Sequence, residues 1–182
     1  RLSLVGSEMC IRDRLGSLLS VAANKIGIKT VILSDDENAP AKNFTEKFIY
    51  GKYDNKSITQ EFIDSVDLVT YEFENIPFNI LQSINNEKTV LPKPEINNLI
   101  QNRLTEKNFL NDINIQTTQY VSIKHIDELK DNENFLPGLL KTTTLGYDGK
   151  GQYKLNSKQD ISNEIDFFDE NGKSIKKTLM KT

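Results

Sequence analysis

Lys141, Gly146, Gly149, Lys150 and Gly151 are the residues of this 182-residue chain whose types and spacing best suit a polyphosphate. They stand in the run Lys141-Thr-Thr-Thr-Leu-Gly146-Tyr147-Asp148-Gly149-Lys150-Gly151-Gln152. Three glycines within six residues let backbone N–H groups approach a ligand closely and turn toward it together. Two lysines bring positive charge to the same place, and amide donors plus ammonium groups are what phosphate oxygens need. A plainer reading stands beside this one, because Asp148-Gly149 within an alternating pattern is also an ordinary hairpin signal. Within this run no Gly-Lys-Ser/Thr triplet occurs, so it is not a Walker loop.

Two further residues carry chemical interest. Glu72 lies inside an apolar stretch between Tyr71 and Phe73, where a carboxylate is costly without a cationic or hydrogen-bonding partner. Arg103 lies three and four positions beyond Ile100 and Leu99 on a helical stretch spanning Pro94 to Asp112. That spacing puts its guanidinium on the apolar face, as a snorkelling side chain, a structural ion pair or a phosphate ligand. His125 reads as a surface or capping residue, Asp36 and Glu37 as solvated loop acids, and the single Cys10 excludes an intrachain disulfide.

The elements that must position these groups follow from periodicity. Leu15, Leu18, Leu19, Ala22, Ala23 and Ile26 form one apolar helical face, which Gly27 ends. Strands are expected at Ile28 to Leu33, Phe48 to Tyr50, Val66 to Phe73 and Thr89 to Leu91. Helices fall between them, one capped by Ser57 and carrying Phe62 and Ile63, another starting at Pro77. This rhythm predicts an open, mostly parallel α/β sheet, on which ligands bind beyond the carboxyl ends of the strands. From Thr117 the pattern restarts: a strand at Gln119 to Ile123, a helix at Asp127 to Lys130, a strand at Leu139 to Thr142, then the glycine hairpin with Tyr153 to Leu155. A boundary is placed near residues 112–117.

The bulk numbers suit a globular chain with a sizeable core: 37% hydrophobic, 27% charged, net charge -3. They give no nucleic-acid footprint, no apolar run of membrane-spanning length, and the cytoplasm as the default compartment. The two ends depart from the pattern. Residues 1–14 show neither a sustained strand nor a glycine-rich turn before Leu15, and are expected to be a non-native segment such as adapter read-through. Lys176 to Thr182 has no obvious partner strand.

Taken together these residues resemble the ATP-grasp superfamily, and within it the 5-(carboxyamino)imidazole ribonucleotide synthase family (phosphoribosylaminoimidazole carboxylase ATPase subunit). The likeness rests on Leu15-Gly16, Gly27-Ile28-Lys29, Asn38-Ala39-Pro40-Ala41, Asp67 through Pro77 with its Tyr71-Glu72-Phe73-Glu74-Asn75, Arg103 through Lys107, Lys141, and Gly146 through Gln152. It covers roughly residues 15–155. The fold it implies is a biotin-carboxylase-like parallel-sheet domain, residues 15–112, with its first strand missing. The first, incomplete part of an ATP-grasp domain then occupies residues 113–182.

The resemblance implies carboxylation of aminoimidazole ribonucleotide with bicarbonate, driven by ATP and Mg2+ through carboxyphosphate, in a homodimer. Carried over residue by residue, Arg103 and Lys141 match ATP-phosphate ligands and catalytic groups. Gly146, Tyr147, Asp148, Gly149, Lys150, Gly151 and Gln152 match the loop covering the phosphates. Glu72 matches a carboxylate at the ribonucleotide pocket, with Tyr147 and Lys150 beside it; Lys150 stands where arginine is also used, which keeps charge but loses a bidentate fork. The magnesium ligands are expected beyond residue 182, so the chain alone is expected to be inactive. Three alternatives stay open: another ATP-grasp ligase such as formate-dependent glycinamide ribonucleotide transformylase, a non-catalytic nucleotide-binding module, and a fragment without an independent role.

Overall fold

The computed structural model describes residues 2–5, 12–72, 75–145, 151–163 and 173–181. These divide into two compact units, Arg1–Asn98 and Leu99–Thr182. The boundary read from the sequence lies one helix further along.

The first unit is a five-stranded parallel sheet. Its strands are β1 (Leu2–Val5), β2 (Thr30–Ser34), β3 (Lys47–Tyr50), β4 (Leu68–Tyr71) and β5 (Thr89–Leu91), in the order β3-β2-β1-β4-β5. The expected absence of a first strand is corrected here. β1 pairs with both β2 and β4, Val5 standing opposite Leu33 and Tyr71. Four residues suffice because the slot between two parallel strands asks chiefly for backbone donors and acceptors, which any extended segment supplies.

Helices cover both faces. α2 (Lys56–Asp64) and α3 (Phe78–Asn85) bury Phe62, Ile63, Leu81 and Ile84 against Val31, Leu33, Ile49, Val69 and Val90. Each such fully buried side chain contributes about 1.5–3 kcal/mol. The cap of α2 is Asn55 rather than Ser57: its side chain accepts from the N–H groups of Ser57 at 3.1 Å and Ile58 at 3.3 Å.

α1 (Arg12–Lys25) departs from its sequence pattern more sharply. The apolar stripe faces outward, with Leu15 57%, Leu18 65% and Ile26 74% exposed, while Ser17, Ser20 and Ala23 are buried. The inner face is built of small residues and meets the 3-10 turn Pro40–Phe44, where a Cβ on Gly16 would make an ordinary 3.6 Å contact with Ala41.

The first unit ends within α4 (Pro94–Ile100). In the second unit α5 (Arg103–Asp112) follows. The single helical stretch read over this region is therefore two helices. Asn102 breaks it, its side chain accepting from Leu104 N–H at 2.9 Å and Thr105 N–H at 3.4 Å.

A four-stranded antiparallel sheet follows, ordered β6-β9-β7-β8, from β6 (Tyr120–His125), β7 (Gly138–Thr142), β8 (Gln152–Leu155) and β9 (Lys173–Lys181). α6 (Ile126–Asp131) and α7 (Lys158–Asn163) supply Leu129 and Ile161 to a core with Ile123, Leu140, Leu155 and Leu179. His125 caps α6, accepting from Asp127 N–H at 3.3 Å. The C-terminal segment, read as lacking a partner, is an inner strand of this sheet: Leu179 stands opposite both Val121 and Leu140. Leu179 is fully buried among residues dominated by lysine, so the strand carried little apolar alternation to detect.

Candidate functional site

In the first unit, Glu72 directly follows β4, and Asp35 directly follows β2. Both strand ends flank β1, where the strand order reverses direction. This is the topological switch point, whose carboxyl edge forms a crevice in sheets of this kind. Two side-chain atoms at that edge are buried without a hydrogen-bond partner: Asp35 Oδ1, an acceptor, and Asn75 Nδ2, a donor. Buried polar atoms are nearly always paired, so such an acceptor and donor suit a polar ligand.

A cavity of about 410 Å³ opens beside Asp35, lined also by Lys52, Tyr53, Pro77 and Asn79. Two hydrogen bonds, one to α4 and one to the residue before it, hold the backbone on either side of Glu72. The Tyr71 hydroxyl donates to the Lys93 carbonyl at 3.4 Å, and Asn97 Nδ2 donates to the Ile76 carbonyl at 3.1 Å. Burial, with Glu95 nearby, pushes the Tyr71 hydroxyl above its usual range, so it stays a neutral donor.

In the second unit the site is set by register. Lys141 stands opposite Gln152 on β8 and Thr178 on β9, and Thr178 stands opposite Ser122 on β6. Paired residues of an antiparallel ladder point to the same face. Leu140 and Leu179, one position away, are in the core, so Gln152, Lys141, Thr178 and Ser122 form one polar row on the other face. The Thr178 hydroxyl is buried in that row without a hydrogen-bond partner. An ammonium, an amide and an unsatisfied hydroxyl side by side fit a phosphate oxygen.

Arg103 stands elsewhere than the sequence pattern placed it. It is the first residue of α5 and turns to the end of β7, where Nη1 donates to the carbonyls of Thr142 at 2.8 Å and Leu145 at 2.5 Å. Its own N–H donates to the Thr143 carbonyl at 2.8 Å. The structure thus brings Arg103 and Lys141 to the same strand end, with Gln152 across the ladder. Glu72 belongs to the other unit. Gly151 has φ +66°, a value glycine adopts freely, and its carbonyl closes the hairpin by accepting from Thr142 N–H at 2.9 Å. Gly146, Tyr147, Asp148, Gly149 and Lys150 lie outside the described residues.

Sequence reasoning missed Thr178 and Asn102, whereas it did place Asp35 at a strand's carboxyl end. Asn102 was detectable as an asparagine just ahead of a charged first turn. Thr178 was not, because its place depends on the register of a strand that the sequence hid. Among the described residues, no three His, Cys, Asp or Glu side chains gather as a metal cage, and no helix is long and apolar enough to cross a membrane.

Comparison with known proteins adds an independent line. Residues 12–101 match the ribonucleotide synthetase preATP-grasp domain, and residues 108–178 match the ATP-grasp domain. The chain is 35% identical over 153 residues to the N5-carboxyaminoimidazole ribonucleotide synthase of Brucella melitensis biotype 1, an alignment covering 79% of this chain and 40% of that protein. It is 34% identical over 150 residues to a bifunctional purine synthesis protein of Dictyostelium discoideum, covering 81% of this chain and 15% of that one. The crystal structure of the Staphylococcus aureus N5-carboxyaminoimidazole synthetase, complexed with ADP, superposes with a TM-score of 0.87 at 27% identity. That superposition covers 100% of this chain and 47% of the other. The chain thus spans less than half the length of these proteins.

Proposed function

We propose, because the chain belongs to the N5-carboxyaminoimidazole ribonucleotide synthase family of ATP-grasp ligases, that the full-length protein joins 5-aminoimidazole ribonucleotide to bicarbonate at the expense of ATP. The observation that carries this reading is the polar row of Lys141, Gln152 and the unsatisfied Thr178 hydroxyl at the mouth of the glycine hairpin. Phosphoryl transfer needs mainly positioning and neutralised charge. Lys141 and Arg103 supply fixed cations, and the amides of Gly146 through Gln152 supply donors without counter-charge. ATP enters as its magnesium complex, and bicarbonate is activated as carboxyphosphate, which must be kept from water.

The ribonucleotide is assigned to the carboxyl edge of the parallel sheet. Glu72 orients it there rather than acting as a base. Asp35 and Asn75 offer the acceptor and donor already noted. The working protein is proposed to be a homodimer, which sedimentation of the full-length form checks. The decisive assay is ADP release by that form. Release that requires both aminoimidazole ribonucleotide and bicarbonate supports the reading. ADP release that follows glycinamide ribonucleotide and formate instead would replace it with the transformylase activity.

A further inference from the structure

The exit of β7 is held chiefly by one residue. Three carbonyls within four residues, those of Thr142, Thr143 and Leu145, accept from the guanidinium or the backbone N–H of Arg103. Leu145 sits at φ +58°, the left-handed region that a leucine enters only at a cost. Its side chain is 57% exposed, so packing does not hold it there. What does hold it is hydrogen bonding to its carbonyl, from Arg103 Nη1 and more weakly from Thr142 Oγ1 at 3.4 Å.

Resting on the function proposed above, we infer that Arg103, beyond the charge it supplies, also positions the loop: its guanidinium keeps Leu145 left-handed and so fixes the exit of β7 directly after Lys141. The guanidinium suits this task because Nη1 carries two hydrogens in one rigid plane, which the two carbonyls share. A lysine would keep the charge but offer a compact ammonium on a flexible stem, without a fixed fork. Since Thr142 N–H also donates to Gly151 across the hairpin, the same short stretch sets both sides of the hairpin base. Lys141, flanked by that stretch, is thereby aimed along the polar row.

The test is a double-mutant comparison in the full-length synthase. Arg103→Lys is expected to lower kcat/KM for ATP by on the order of tenfold. Leu145→Gly, which admits positive φ without strain, is expected to recover at least about half of that loss on a logarithmic scale when added to Arg103→Lys. A guanidinium acting by its charge alone gives the reverse pattern. Lysine would then retain most of the activity, or the glycine would recover nothing, and either result overturns the inference. Thermal unfolding of the wild type, both single variants and the double variant supplies a readout independent of turnover. The Tm loss caused by Arg103→Lys should shrink in the Leu145→Gly background, and equal losses in both backgrounds overturn the inference. A wild type that releases no ADP would refute the proposed function, and the unfolding comparison would still decide the role of Arg103.

Discussion

Asn97, fully buried in α4, donates its side-chain amide to the carbonyl of Ile76 at 3.1 Å, and so ties that helix to the segment that follows Glu72. A helix that packs by its apolar face alone could slide. A directional bond from its interior fixes the register between α4 and the post-β4 segment, and with it the backbone that presents Glu72. Asn97→Asp keeps the shape but turns the donor toward Ile76 into an acceptor. The expected cost at neutral pH is about 3 kcal/mol or more, because a buried carboxylate then faces a carbonyl. Protonation restores a donor, so the deficit of the variant should shrink as the pH is lowered toward 5. Denaturant unfolding at pH 7.5 and near 5 measures both; a pH-independent deficit would contradict the assigned geometry.

Gly138 offers a second test, in the other unit. A Cβ built there would lie 2.6 Å from the Phe135 carbonyl oxygen and 2.9 Å from that of Met180, both backbone atoms. Neither can yield as a flexible side chain would, so Gly138→Ala must push β7 away from β9. The expected loss is about 2–3 kcal/mol. Because the same ladder pairs Lys141 with Thr178, nucleotide affinity should fall with stability. Calorimetry of the folded variant and its ADP affinity check the two effects separately.

The parts of this fold legible in the sequence are those whose burial follows periodicity. β3, β5 and the helices around Phe62 and Leu81 were recoverable because both their residue types and their spacing announce a buried face. α1 misled because its inner face is built from the small residues Ser17, Ser20 and Ala23, to which the leucine periodicity does not point. β1 and β9 were hidden for a different reason. Their places are decided by neighbouring strands that need a ladder partner, which local composition does not report.

The site shows the same division. Glu72 could be singled out because a charge inside an apolar run is costly, and Lys141 because it leads into a glycine-rich hairpin. The partners of Arg103 could not, since backbone carbonyls far along the chain leave no trace in residue type.

A third prediction concerns pH. Asp160 sits at the start of α7 and its Oδ2 accepts from the N–H groups of Asn156 at 2.7 Å and Ser157 at 2.9 Å. Those two bonds hold its carboxyl below the usual carboxylate range. A depressed pKa in the folded state contributes stability above the unfolded value of about 4, and that contribution is lost as the pH falls through the folded value. Asp160→Asn should therefore lower the Tm at pH 7, and the gap from wild type should close progressively below about pH 4. A gap that stays constant from pH 7 to pH 3 would mean the carboxylate is not capping the helix.

The last prediction separates binding from folding in the polar row. The Thr178 hydroxyl is buried without a hydrogen-bond partner, a state that costs stability by about 1–3 kcal/mol. Thr178→Val removes that hydroxyl at nearly constant volume, so the Tm should hold or rise. If the hydroxyl serves the nucleotide, the same variant should weaken ATP binding by about threefold to tenfold, the worth of one hydrogen bond. Lys141→Met, which keeps the stem and removes the charge, should weaken it further and reduce its dependence on salt. Stability and affinity thus move in opposite directions at Thr178. That pattern is expected of a group left unsatisfied in the folded chain and satisfied by its ligand. Titration calorimetry with ATP alongside thermal unfolding decides it, and a valine variant with unchanged ATP affinity would remove Thr178 from the site.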